Sequence, residues 1–242
     1  MRTAFCFSGE LRSFDKTYPL LEKNILSKFK DYDIYFFMWE DDPDVDKMSM
    51  MLTNNNNVKA FHTEKRQSFN EDLVNEKATQ GMFRQLYCVQ QCNKLKQKYE
   101  ELGNFKYDAV VRIRPDLLLL EDTCLPDDIE SYDFSKLWVM NHDNWHGYCD
   151  RLYISNSENI DIISNGFDQL PYYIKIGGTS FYEAFLRFIV HGNDIEVETL
   201  HSLKTCLLRT NGDREGELIH IEKGTLIRRP EGIWHTQYYC YI

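Results

Sequence analysis

Two stretches of the chain hold side chains suited to chemistry on an anionic ligand. Ser8-Gly9-Glu10-Leu11-Arg12 directly follows an apolar run over residues 2–7. A glycine behind a strand lets backbone approach a ligand, and an arginine can clamp a phosphate through two parallel hydrogen bonds. Taken alone, the motif is read first as a plain strand-to-helix turn carrying a surface arginine. Val111-Arg112-Ile113-Arg114-Pro115-Asp116 closes the most β-prone segment of the sequence, which Pro115 ends. Side chains two apart in a strand share a face, so Arg112 and Arg114 are expected together. Ionised groups on a buried sheet are costly unless paired. A diphosphate, a metal ion or a fixed network of acids must therefore offset them. Asp116, a carboxylate at the strand end, is expected to contribute little to packing.

The elements that position these residues follow from periodicity. Residues 2–7 and 33–39 read as buried strands. Between them, Tyr18, Leu21, Ile25, Leu26 and Phe29 predict a helix over 15–30. That order predicts a parallel strand–helix–strand unit. The stretch containing Asn54 to Asn57 reads as a loop, and Val58 to Phe61 as a third strand. Apolar spacing from Met82 to Leu95 predicts a long helix over 79–101, stopped near Gly103. Strands are expected over 107–114, 137–140 and 151–154, then a helix capped by Ser157 running to Phe167, and another over 179–190. From Ile195 short β-like pieces alternate with turns at Asn211-Gly212 and Lys223-Gly224. No internal repeat is present, so one α/β domain spanning 1–242 is expected.

Composition narrows the function classes. A net charge of −10 argues against a nucleic-acid partner, because the phosphate backbone would be repelled. No apolar run approaches the roughly 18 residues of a transmembrane helix. The sequence turns polar at Ser8-Gly9-Glu10, too early for a secretory leader, so a cytoplasmic location is expected. Seven irregularly spaced cysteines point to reduced thiols rather than a disulfide framework. No Gly-x-x-x-x-Gly-Lys-Ser/Thr phosphate loop is present. Aromatic residues make up 14% of the chain, which suits a thick core or a site that stacks flat ligands, and leaves the oligomeric state open.

Taken in order, Ser8 to Arg12, the strand from Asp33 to Trp39, Gln85 with Tyr87, Tyr107 to Leu117, and Asp150 to Asn156 resemble the small GT-A-type glycosyltransferases of surface-polysaccharide clusters and large DNA viruses. The similarity covers roughly residues 2–190. It implies a GT-A-like, Rossmann-type mixed sheet flanked by helices. A nucleotide-sugar-binding half over about 1–120 would be joined to an acceptor-binding half over about 121–242. The implied activity is transfer of a sugar from a nucleotide-sugar donor to a glycan hydroxyl. Ser8, Gly9, Arg12, Gln85, Arg112 and Arg114 would then bind the donor. GT-A enzymes usually place Asp-x-Asp at the end of a central strand to hold a divalent cation. Here Arg114-Pro115-Asp116 keeps only the second acid. Asp116 can still hold Mg²⁺ or Mn²⁺. Alternatively an arginine supplies the charge and the mechanism is metal-independent.

The same resemblance makes Asp150 and Glu183 the candidates for the catalytic base that takes the acceptor proton. Their bland alternatives are an ion pair with Arg151 and a favourable acid in a helix's first turn. In the stretch His142 to Cys149, two histidines and a cysteine invite a zinc reading, but no second cluster completes a structural site. A sugar-binding loop, with Trp145 or Tyr148 stacking on an acceptor ring, is the preferred reading over a mobile surface loop. Cys88 and Cys92 are expected to pack, and His220 and His235 are minor candidates for an added metal ligand. A GT-like module that binds glycan or nucleotide without turnover is the alternative function.

Overall fold

The computed structural model describes residues 1–69, 77–120 and 123–208, and beyond them the backbone of three short strands over 214–215, 219–222 and 225–228. Strand β1 (Arg2–Ser8) lies inside a seven-stranded sheet, with β2 (Asp31–Trp39) parallel on one side and β4 (Ala109–Ile113) parallel on the other. β3 (Val58–Glu64) runs parallel beyond β2. Past β4 the sheet turns antiparallel through β7 (Leu152–Ser155) and β6 (Leu137–Met140), and β8 (Val197–Leu200) pairs parallel with β6.

Successive residues of the central strands supply opposite cores. Phe5, Phe7, Ile34, Phe36, Met38, Val111 and Ile113 pack with Phe14, Tyr18 and Leu21 of α1 (Phe14–Asn24) and Met48 of α2 (Val45–Leu52). Ala4, Cys6, Tyr35, Phe37 and Val110 pack instead with α3 (Lys77–Gly103), α4 (Ser157–Asn165) and α6 (Tyr182–Gly192), through Leu86, Val89, Ile160 and Phe185. Burial on both faces is why these strands read as unbroken apolar runs rather than alternating ones. Helices on both faces of a mostly parallel sheet make one α/β domain.

Several boundaries differ from the sequence expectation. The helix expected over 15–30 stops at Asn24, and a separate 3₁₀ turn over Leu26–Lys28 follows the buried Ile25. Helix α2 forms where a loop was expected, because Met48 and Leu52 bury against the sheet. The cap of α4 is Asn156, whose side chain accepts the Asn159 N–H; the Ser157 hydroxyl bonds Glu100 instead. After α4, a 3₁₀ turn over Gly166–Gln169 leads into α5 (Leu170–Lys175). β5 (Leu117–Leu119) resumes extended structure just past Pro115. With β9 (Thr205–Leu208) and β10 (Arg214–Glu215) it forms a small antiparallel sheet, while β11 (Ile219–Glu222) and β12 (Thr225–Arg228) pair separately. The turns expected at Asn211-Gly212 and Lys223-Gly224 lie outside the described residues. Among the described residues, no helix is long and apolar enough to cross a membrane.

The winding defines where a ligand would sit. From β1 the chain moves outward to β2 and β3 with α1 and α2 on one face, then returns along α3 on the other face to β4. Strand order reverses between β1 and β4, and open α/β sheets bind ligands in the crevice outside the strand ends at such a reversal.

Candidate active site

The loops behind β1 and β4 open into a cleft of about 420 Å³. Ser8 ends β1, and Gly9 turns the chain at φ +123°, which only glycine adopts freely. The Leu11 N–H then bonds Asp42 Oδ2 at 2.8 Å, tying this turn to the loop behind β2. Arg12, at φ 48°, aims its guanidinium at two acids. Its Nε donates to Glu10 Oε2 at 3.1 Å and its Nη1 to Asp116 Oδ2 at 2.5 Å.

Asp116 is the hub of the cluster. Arg114 Nε donates to Asp116 Oδ1 at 3.0 Å, and Arg114 Nη2 to Oδ2 at 3.1 Å. Burial pushes the Asp116 carboxyl up, yet Arg114 and Arg12 outweigh it and hold the group below the usual carboxylate range. At 1% exposure Asp116 is a structural counter-charge as well as a cleft residue, which corrects the expectation that it contributes little to the fold. Its backbone carbonyl also accepts the Leu208 N–H at 2.9 Å, joining the cleft to the small sheet.

Two further acids come from the second half of the chain. Asp150 Oδ2 accepts from Gln85 Nε2, and from Arg114 Nη1 at 3.5 Å. Its neighbour Arg151 pairs with Asp143 at 2.8 Å rather than with Asp150. Glu183 lies in the first turn of α6, where burial, reinforced by the Asp150 charge, pushes its carboxyl up to about 8. The Glu183 backbone carbonyl accepts the Tyr148 N–H at 3.1 Å. Gly147 packs so closely there that a Cβ would overlap that carbonyl. The loop before β7 thus fixes where α6 begins.

Of the residues singled out in the sequence, Ser8, Gly9, Arg12, Gln85, Arg114, Asp116, Asp150 and Glu183 line this one cleft. Arg112 does not. β4 ends at Ile113, so Arg114 escapes the alternation while Arg112 stays on the helix-covered face, 1% exposed. There it donates from Nη1 to the Asp150 carbonyl and lies 5.7 Å from the rings of both Tyr153 and Tyr182. Trp145 and Tyr148 do not line the cleft either. Trp145 stacks on Phe181, with centroids 5.5 Å apart and planes at 19°, and Phe181 is a wall residue. Tyr148 directs its hydroxyl to His191 Nε2 at 2.8 Å. Glu10, Trp39, Arg84, Ser180, Phe181 and Tyr182 also line the cleft without having been expected there. Trp39 closes β2 and Glu10 sits inside the first motif, so the strand-end rule could have found both. Arg84 and the residues around Phe181 carry no such local signal.

The polar groups of the His142 to Cys149 loop are used internally. His142 Nε2 meets Thr205 Oγ1 at 2.8 Å, and Asn144 Oδ1 accepts the Cys149 N–H at 3.1 Å. Cys88 and Cys92 are buried in the core, as expected. Among the described residues, no three His, Cys, Asp or Glu side chains are grouped to hold a metal ion. Of the two C-terminal histidines, His235 lies outside the described residues and only the backbone of His220 is described.

Residues 1–185 match the family described as domain of unknown function DUF7796. The chain belongs to the DUF7796 family. The matched span runs from β1 into α6 and includes every residue lining the cleft, whereas β8 and all later strands fall outside it. No curated protein matches the chain.

Proposed function

We propose that this DUF7796 chain is a glycosyltransferase of the GT-A kind, moving a sugar from a nucleotide-sugar donor to a hydroxyl of a glycan acceptor. The observation that carries this reading is the cleft at the β1–β4 reversal. It gathers Arg12, Arg84 and Arg114 with two acids of opposite proton affinity, Asp116 held ionised and Glu183 held protonated near neutrality. In a direct displacement, the acceptor oxygen bonds to the anomeric carbon as the bond from that carbon to the diphosphate breaks. The electron pair leaves with the diphosphate, whose growing charge the guanidinium groups stabilise. The hydroxyl proton passes to a carboxylate base. Glu183 suits that step in its ionised form, which grows as pH rises toward about 8, because a base works best with a pKa near the operating pH. Asp150, bonded by Gln85 and Arg114, is the neighbour that keeps Glu183 basic. Phe181, backed by Trp145, offers an aromatic face to an acceptor ring.

The resemblance to GT-A enzymes also implies a divalent cation, and the residues here do not fit one. Both oxygens of Asp116 already accept guanidinium hydrogen bonds, and Arg114 stands where that family sets its first acid. The positive charge at the diphosphate is therefore assigned to arginine, in a metal-independent mechanism. The same engagement of Arg12 and Arg114 by acids favours a second reading, a module that binds nucleotide or glycan without turnover.

A thermal-shift screen against UDP, GDP, dTDP, CMP and their sugars, with and without Mn²⁺, tests both. A ligand at a hundred times its Kd stabilises the fold by about 2.7 kcal/mol. A metal-independent shift with one nucleotide class, followed by release of that nucleotide from its sugar conjugate, is the expected result. A shift without turnover would favour the binding module, and no shift with any ligand would remove the nucleotide-sugar reading.

A further inference from the structure

The three guanidinium groups of the cleft are not equivalent. Arg12 is engaged by Glu10 and Asp116, and Arg114 by Asp116 and Asp150. Arg84, in the early turns of α3, donates from Nε to the Gln67 backbone carbonyl at 3.1 Å. Among the described residues Arg84 makes no ion pair. A carbonyl bond orients a guanidinium without neutralising it. It also leaves both terminal nitrogens, the pair that grips a phosphate as a fork, outside the interaction. The placement of the acids points the same way: Glu10 is shared between Arg12 and Arg66, the latter at 2.7 Å, and among the described residues none of the acids lining the cleft pairs with Arg84.

We infer that Arg84 is the anion contact of this cleft, gripping a phosphate of a nucleoside diphosphate while Arg12 and Arg114 serve as an acid-clamped frame. The inference rests on the nucleotide-sugar reading and singles out which of its three guanidinium groups makes the phosphate contact. It also differs from the sequence expectation, which gave the phosphate to Arg12, Arg112 and Arg114.

The test is calorimetric titration of wild type and Arg84→Gln with UDP, GDP, inorganic pyrophosphate and the uncharged nucleosides, with the melting temperature of each protein recorded. Glutamine keeps a donor for the Gln67 carbonyl while removing the charge. One charge-assisted hydrogen bond corresponds to a Kd weakened about 10- to 100-fold, expected for the diphosphates in R84Q with nucleoside affinity and melting temperature unchanged. Wild-type diphosphate affinity in R84Q would overturn the inference, as would an equal loss for nucleoside and diphosphate, which marks a structural role. Either outcome leaves the nucleotide-sugar reading standing. If wild type itself binds no diphosphate, both fall together.

Discussion

Two charge clusters in this protein both set basic side chains among acids and end in opposite conditions. Toward the carboxyl end of α3, Lys96 is fully buried, and its ammonium donates to Glu100 and Asp161 at 3.0 Å each and to the Ser157 hydroxyl. Glu100 accepts in addition from the Tyr107 N–H, the Ser157 hydroxyl and Lys106. Burial pushes Glu100 and Asp161 up, but these partners outweigh it and hold both below their ordinary values. Every donor of Lys96 is used. At the other cluster, near the amino end of the same helix, Glu183 is driven the opposite way and Arg84 bonds a carbonyl and, among the described residues, no acid. The α3–α4 cluster closes on itself, whereas the cleft leaves part of its electrostatics unmet, as its proposed role in ligand binding requires.

The contrast breaks if the cleft acids prove structural or the α3–α4 cluster proves functional. The largest effect is expected from Glu183→Gln, which should lower turnover by about 10²- to 10⁴-fold, the usual contribution of a general base, without weakening donor binding. Steady-state kinetics alongside calorimetry checks this; unaltered turnover would leave Glu183 as packing. Next, Lys96→Met should cost about 3–5 kcal/mol in a urea melt, because it removes the ammonium shared by the buried Glu100 and the half-buried Asp161, yet leave nucleotide affinity untouched. A loss of affinity equal to the loss of stability would show the clusters to be coupled.

A smaller, signed effect should appear with pH. Because the folded pKa of Glu183 lies above its ordinary 4.5, the stability it contributes is complete below 4.5 and is lost as pH rises through about 8. Melting curves of E183Q against wild type should therefore diverge in favour of the variant across that window. Glu100 and Asp161 act with the opposite sign, contributing above the ordinary carboxylate range and losing that contribution as pH falls through their depressed values. A pH-independent gap between E183Q and wild type would contradict the assigned environment. The smallest change is expected from Trp145→Ala, which removes one stacked ring worth about 0.5–1.5 kcal/mol and should raise acceptor KM a few-fold with donor KM constant.

The sheet was legible because its strands are buried on both faces, so residues 2–7 and 33–39 stand out as apolar runs. Helix α2 was hidden because only Met48 and Leu52 bury, too few for a periodic signal. For the site, a glycine and an arginine behind one strand, and an arginine and an acid behind another, indicated the strand-end cleft from local sequence alone. Arg112 was misjudged because alternation holds only while the strand continues, and β4 stops one residue before Arg114. Asp150 and Glu183 came from family resemblance rather than from spacing, since nothing local says that two segments so far apart converge. Arg84 was overlooked for the same reason: its meaning lies in which acids fail to reach it, a property of the folded arrangement.

The central place of β1 also has a consequence for synthesis. Its run from Ala4 to Phe7 is almost wholly buried once β2 and β4 flank it. On the ribosome, β2 follows after one helix, but β4 emerges only after α2, β3 and α3. One edge of this buried strand therefore stays open until β4 is made, available to a neighbouring nascent chain. The strand around which the cleft is organised waits for Ile113 before its second edge is covered, and an edge left open during synthesis is where misassembly starts.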